Sequence, residues 1–198
     1  MRKVSRGDLL DLGAYEAVRE RYRARIVAEK KRRRLVVTPE LTVVFENTDT
    51  VLFQIQEMLR TERILSEPAI LHELETYNEL VPDEGELSVT MFVEIVDRET
   101  RDRRLRELSG LERAVFVEMD GVLTPARAEN RAVIDGPTTA VHYLKFAIGA
   151  AAGAKLAAAA GAGSGPSPLH FVIRHPALEA RTALPPEVLR AVAADFIA

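Results

Sequence analysis

Residues 46–87, ENTDTVLFQIQEMLRTERILSEPAILHELETYNELVPDEGEL, decide how the rest of the chain is read. The segment divides at Ser66-Glu67-Pro68 into two helices joined by a tight connection. Asn47 or Thr48 is suited to cap the first helix, with Asp49 favourable near its N-terminal dipole. That helix is expected over about residues 50–65, with Val51, Ile55 and Met58 forming one apolar stripe. Glu62 is the next position on the stripe, where a core residue is expected. A carboxylate buried there must be paired, hydrogen-bonded, metal-bound or protonated, because isolation costs several kcal/mol. Ser66 can cap the second helix, whose face Ile70, Leu74, Tyr77 and Val81 again has helical spacing. The pair is therefore expected to carry a polar site as well as packing.

Working outward, a long N-terminal helix is expected from near Ala14 to about Arg33, with Tyr15, Val18, Tyr22 and Ile26 on one face. Residues 35–37 and 41–46 read as a hairpin around Thr38-Pro39-Glu40. After Pro82-Asp83-Glu84-Gly85, the residues Leu87, Val89, Met91, Val93 and Ile95 alternate with Ser88, Thr90, Phe92 and Glu94, the pattern of a strand. Asp97 suits an N-cap, and Gly110 a left-handed terminator for the short helix between them. A strand over 114–119 returns through Asp120-Gly121, a type I′ pair, into 122–128. Asp135-Gly136-Pro137 breaks the chain before a strand over 141–148. The Ala/Gly tract within 149–168 reads as a weak helix or a flexible connector. A strand over 169–174 follows, and a last helix from near Pro186 should bury Leu189, Val192 and Phe196. Hairpins outnumber βαβ units, so the expected fold class is α+β: a mixed or mostly antiparallel sheet, a long N-terminal helix and a central helix pair in one domain over 1–198.

Composition narrows the function classes. A chain of 198 residues with 47% hydrophobic and 29% charged side chains is ordinary for a globular protein. Its formal net charge of −3 gives no global reason to expect nucleic acid or an anionic membrane as partner. The absence of cysteine excludes disulfides, thiolate metal sites and cysteine nucleophiles within the chain. With neither a secretory signal pattern nor a run approaching a membrane span, a cytoplasmic location is expected. Phosphate-cradling loops, dinucleotide fingerprints and nucleophile elbows are missing from the sequence.

Three constellations could carry chemistry. Glu57, Glu62, His72 and Glu73, drawn from the two helices, are the residue types that hold non-haem iron or manganese in helical bundles. The diagnostic Glu-x-x-His spacing is absent, and the plainer account pairs Glu62 with an arginine and leaves His72 solvated. Arg60, Arg63, Gln54 and Gln56 instead offer forked donors for a carboxylate or phosphate. Second, alternation puts His142 and His175 on buried strand faces, where each could serve as ligand or acid–base group, or simply satisfy a carbonyl at a strand end. Third, nine basic residues against two acidic ones lie between Arg19 and Arg34. Such a patch could contact phosphate, but aromatic stacking platforms are not evident, and a solvated face or docking to an acidic partner is the simpler account.

The motifs QIQEMLRTER (54–63), His72-Glu73, Tyr77-Asn78, Gly85-Glu86-Leu87, the run KKRRR (30–34) and the triplet FEN (45–47) resemble a bacterial family known only as domain of unknown function 3501. The likeness covers nearly the whole chain and is most specific between Arg32 and Ile95; the Gly/Ala-rich segment 149–165 is unlike the family pattern. Members are often encoded beside rubrerythrin-like proteins and iron–sulfur oxidoreductases. The resemblance thus implies an accessory or binding protein of an iron/redox system, with a protein partner there, and it assigns no catalytic residues. The polar residues set into the apolar faces of the helix pair, rather than the resemblance, place the expected ligand site at Glu46, Asn47, Gln54, Arg60, Glu62, Tyr77 and Asn78. The alternatives are a metal-dependent enzyme using the Glu/His set and a nucleic-acid-binding regulator using Arg19–Arg34.

Overall fold

Alternating side chains over Glu86–Val93 build the strand on which the molecule is organised. A computed structural model describes residues 1–128, 138–162 and 167–197. In chain order the elements are α1 (Leu12–Arg32), β1 (Arg34–Thr38), β2 (Leu41–Phe45), α2 (Thr48–Thr61), α3 (Glu67–Asn78), β3 (Glu86–Val93), α4 (Arg98–Glu107), β4 (Val115–Met119), β5 (Val122–Pro125), β6 (Arg127–Ala128), β7 (Val141–Ala147), α5 (Ala150–Ala162), β8 (Leu169–His175), β9 (Leu178–Ala183) and α6 (Pro186–Ala193). The fold class is α+β, as expected, but the strands form two sheets. One has the order β1-β2-β3-β7-β6 and the other β5-β4-β8-β9, and every described pairing is antiparallel.

The apolar faces of the two sheets share a core. Leu35, Val43, Phe45, Val89, Met91, Leu144 and Phe146 of the first meet Val115, Val117, Phe171 and Ile173 of the second. Phe146 and Phe171 touch edge to face, with centroids 6.0 Å apart. Leu156 of α5 and Val188 and Val192 of α6 complete this core. The other, more polar face of β3 is also covered: Ser88 and Thr90 are only 3% and 4% exposed. The α2–α3 pair covers that side: Val51, Ile55, Leu59, Ile70, Leu74 and Tyr77 form a second cluster, against which Tyr143 of β7 packs. Tyr143 lies opposite Thr90 in the ladder. The N-terminal segment, through Val4 and Leu9, joins the same cluster.

Local rules explain most boundaries. Asp11, Asn47 and Asp97 accept from the backbone amides of Ala14, Thr50 and Thr100, so α1, α2 and α4 start at capping side chains. Ser66 occupies the N-cap of α3 without a side-chain cap bond. Asp120 and Gly121 both take positive φ (51° and 78°), the type I′ geometry expected between β4 and β5. Gly85 is required twice over: its φ is +71°, and a Cβ there would lie 2.9 Å from backbone atoms of Gly149 and Ala150. The Ala-rich tract is helix α5, seated by fully buried Leu156, and Gly153 admits the Phe196 ring, which a Cβ would meet at 2.4 Å. The 163–166 part of the proposed connector and the 135–137 break lie outside the described residues. Strand β9 is an addition to the expected elements. Its LEARTA sequence is weakly β-forming and half exposed; pairing with β8 and a bond from Thr182 Oγ1 to the Val37 carbonyl (3.2 Å) hold it. None of the described helices is long and apolar enough to cross a membrane.

Candidate functional site

Glu62 does not occupy the core. It is exposed at the C-cap of α2, with no side-chain hydrogen-bond or ion-pair partner among the described residues, because the helix stops at Thr61. Arg63 turns left-handed (φ 51°), and the amides of Arg63 and Ile64 bond back to the carbonyls of Arg60 (3.3 Å) and Leu59 (2.9 Å). This is a Schellman closure, and Ile64, rather than Glu62, packs onto the helix-pair cluster. The buried carboxylate is Glu46, only 3% exposed, just before α2. It accepts hydroxyl bonds from Thr50 Oγ1 (2.5 Å) and Thr90 Oγ1 (2.6 Å), tying the start of α2 to β3. The space beside it, bounded by Phe45, Pro82, Val192 and Phe196, is too small for a water molecule.

The remaining expected residues serve different ends. Asn47 exchanges bonds with Thr50 as a capping box. Asn78 grips the N-terminal segment, accepting from the amide of Val4 through Oδ1 and donating to its carbonyl through Nδ2, both at 2.8 Å. Gln56 grips it again at Leu10, amide and carbonyl both at 3.0 Å. The conspicuous amides of the helix pair thus clamp residues 4–10 as a strap. Tyr77 is buried in the helix-pair cluster, and Gln54 is half-buried on α2. Arg60 donates to Glu16 of α1 at 2.6 Å.

The carboxylate–imidazole set is not assembled. Glu57 faces α1, where Arg19 grips both its oxygens at 2.8 Å and Tyr15 Oη donates at 2.7 Å. Arg19 and Tyr15 hold this carboxyl below the usual range, while burial and Glu57 push the Tyr15 hydroxyl up. His72 is exposed, Glu73 half-buried, and Glu62 projects from the end of α2. Among the described residues no three His, Asp or Glu side chains are grouped to hold a metal ion. The two sheet histidines also have separate duties. His175 accepts from the Ala177 amide (3.1 Å) through Nδ1, which leaves Nε2 to donate to the Ser109 carbonyl (3.0 Å). His142 meets Thr138 Oγ1 at 3.1 Å, and burial lowers its pKa.

The basic run is likewise divided. Arg33, 2% exposed, forks onto Asp195 (2.6 and 2.7 Å) and bonds Glu29 and the Ala191 carbonyl, fastening the end of α1 to the C-terminal helix. Arg19, Arg25, Arg32 and Arg34 pair with Glu57, Asp49, Glu29 and Glu94. Arg21, Arg23, Lys30 and Lys31 have no ion pair among the described residues.

What the strap and α1 enclose is a cleft of about 510 Å³, lined by Asp8 and Leu10 of the strap, Val18, Arg21, Tyr22 and Arg25 of α1, and Leu52 and Gln56 of α2. Its α1 wall follows helical spacing, two turns of one face. The apolar face Tyr15-Val18-Tyr22-Ile26 expected on this helix is not uniformly covered. Tyr15 and Ile26 are buried, whereas Val18 and Tyr22 are half-exposed because they open onto the cleft. The sequence signal for it was the presence of Arg21 and Arg25 beside that stripe, which reads equally well as solvated surface. Arg25 lies over the Tyr22 ring, 5.0 Å from its centroid. Asp8 is neutralised by Arg2 (2.7 and 2.9 Å), which with Ser5 holds its carboxyl far below the usual range.

Comparison with known proteins gives a lineage. Among curated proteins none matches this chain. A crystal structure of a novel protein of unknown function from Burkholderia pseudomallei K96243 superposes with a TM-score of 0.87 at 35% identity, covering 98% of this chain and 99% of that one. The model of the family described as "Protein of unknown function (DUF3501)" matches residues 3–196, and the chain belongs to that family.

Proposed function

We propose that the protein is an accessory binding protein, whose ligand or partner segment enters the cleft between α1, α2 and the N-terminal strap. The cleft itself carries this reading: a three-walled recess of about 510 Å³, within the ~300–1,000 Å³ range of small-molecule sites. The polar groups of the helix pair build its walls. Gln56 and Asn78 fix the strap, and Glu57 fixes α1, so polar residues of the helix pair shape the place where a ligand fits. Service in an iron/redox system rests on the genomic company of the family, and a cytoplasmic setting accords with it.

Native mass spectrometry of the protein purified from its own host tests the reading, alongside Val18→Trp, which fills the cleft. A non-covalent adduct or co-purifying partner that Val18→Trp loses is expected. An adduct or partner retained by Val18→Trp, or none in either protein, overturns it.

A further inference from the structure

We infer that the cleft selects a monoanionic amphiphile, an aliphatic carboxylate whose chain lies against Leu10, Val18, Tyr22 and Leu52 and whose head meets Arg21. This inference rests on the binding role proposed above and names its ligand class.

Shape argues for a small molecule. The strap residues Asp8 and Leu10 line the cleft together with α1 and α2, and both groups of the Gln56 amide hold the strap there at Leu10, so the recess is bounded by three segments and suits a compact ligand. Three lining side chains, Leu10, Val18 and Leu52, are apolar, Tyr22 adds its ring, and Leu10 remains 43% exposed. An uncovered apolar surface in a recess favours a chain that removes it from water.

Charge selects the head group. Among the described residues Arg21, exposed and lining the cleft, has no acidic partner, so its five donors face a carboxylate in forked geometry. Arg25 stands one turn further along and is only loosely engaged, with Asp49 at 3.6 Å. The acid that also lines the cleft, Asp8, is already gripped by Arg2 and does not offset these cations. One free guanidinium and a second, partly committed, suit a single negative charge. Of the other polar liners, Gln56 uses both ends of its amide on Leu10, while the Tyr22 hydroxyl is buried without a hydrogen-bond partner among the described residues and is a second group a carboxylate head could meet.

Calorimetric titration with dodecanoate below its micellar concentration, against dodecyltrimethylammonium and dodecanol, tests the inference. Saturable one-to-one binding of dodecanoate is expected, at least about tenfold tighter than either comparison compound. Arg21→Glu, on an exposed position that leaves packing intact, should weaken dodecanoate about tenfold or more, the scale of one charge-assisted hydrogen bond. Rising salt should weaken it too. Equal binding of the three amphiphiles, indifference to Arg21→Glu, or binding that Val18→Trp leaves unchanged overturns the inference. Absence of dodecanoate binding with a cleft-dependent native adduct still present removes the ligand class alone. Absence of both removes the binding role with it.

Discussion

At Arg63 a single backbone angle redirects the apolar stripe of the helix pair. Counting by helical period carries the stripe from Met58 to Glu62, but the count holds only while the helix continues. The left-handed residue and its two closing bonds deliver Ile64 to the position the stripe would have used. Left-handed geometry costs a side-chain-bearing residue about 1–2 kcal/mol relative to glycine. Arg63→Gly should therefore raise unfolding free energy by about 1 kcal/mol, read from the urea midpoint at unchanged slope. Glu62→Leu should change it by less than about 0.5 kcal/mol, because the side chain stands in solvent. A large gain or loss for Glu62→Leu would mean that the carboxylate is buried or paired after all. The buried acid was within the quoted stretch, at Glu46. Sequence could place it beside a helix cap but not show that Thr90, distant in the chain, supplies its second hydrogen bond.

At the scale of elements, α1 is attached to α2 by polar contacts as well as by rings, Tyr22 meeting Phe53 edge-on. The Glu57–Arg19–Tyr15 junction has a definite pH signature. The carboxyl of Glu57 is depressed in the folded protein, chiefly by its bond to Arg19, so the folded state holds its proton less readily than the unfolded chain. Its stabilisation is complete above the ordinary glutamate range near ~4.3 and is lost as pH falls through the depressed folded value. In urea titrations, the stability deficit of Glu57→Gln should be constant above about pH 5 and shrink as pH falls below about 4. A deficit independent of pH down to acid unfolding would show that the ion pair contributes nothing. Most elements were legible in the sequence: β3 from its alternation, the hairpin turn from Asp120-Gly121, and the helix starts from capping residues. β9 was not, since Leu178–Ala183 becomes a strand through its partner β8 rather than through its own propensity. The second buried face of β3 was hidden for a similar reason. Ser88 and Thr90 look like solvent-facing residues until the helix pair covers them.

Across the whole molecule, Arg33 joins the end of α1 to the C-terminal segment. The fork onto Asp195 closes α1 against the C-terminal helix while Glu29 holds the guanidinium from the other side. With Arg33 almost wholly enclosed, removing its charge strands Asp195 and Glu29 in poorly hydrated surroundings. Arg33→Met should cost about 3–5 kcal/mol in thermal or urea unfolding. Arg33→Lys should recover only part, since an ammonium cannot reproduce the fork. A loss under about 1 kcal/mol for Arg33→Met would contradict this structural role. The basic run thus serves two purposes that composition cannot separate, one arginine locking the fold and others, Arg21 foremost, facing an open cleft. That the cleft is the working surface is most directly tested by amide NMR of the labelled protein, titrated with a small-molecule extract of host cells. Saturable shifts confined to Leu10, Val18, Arg21, Tyr22, Leu52 and Gln56 are predicted; shifts centred on the sheets or on the exposed face of α3, or none at all, would contradict the account.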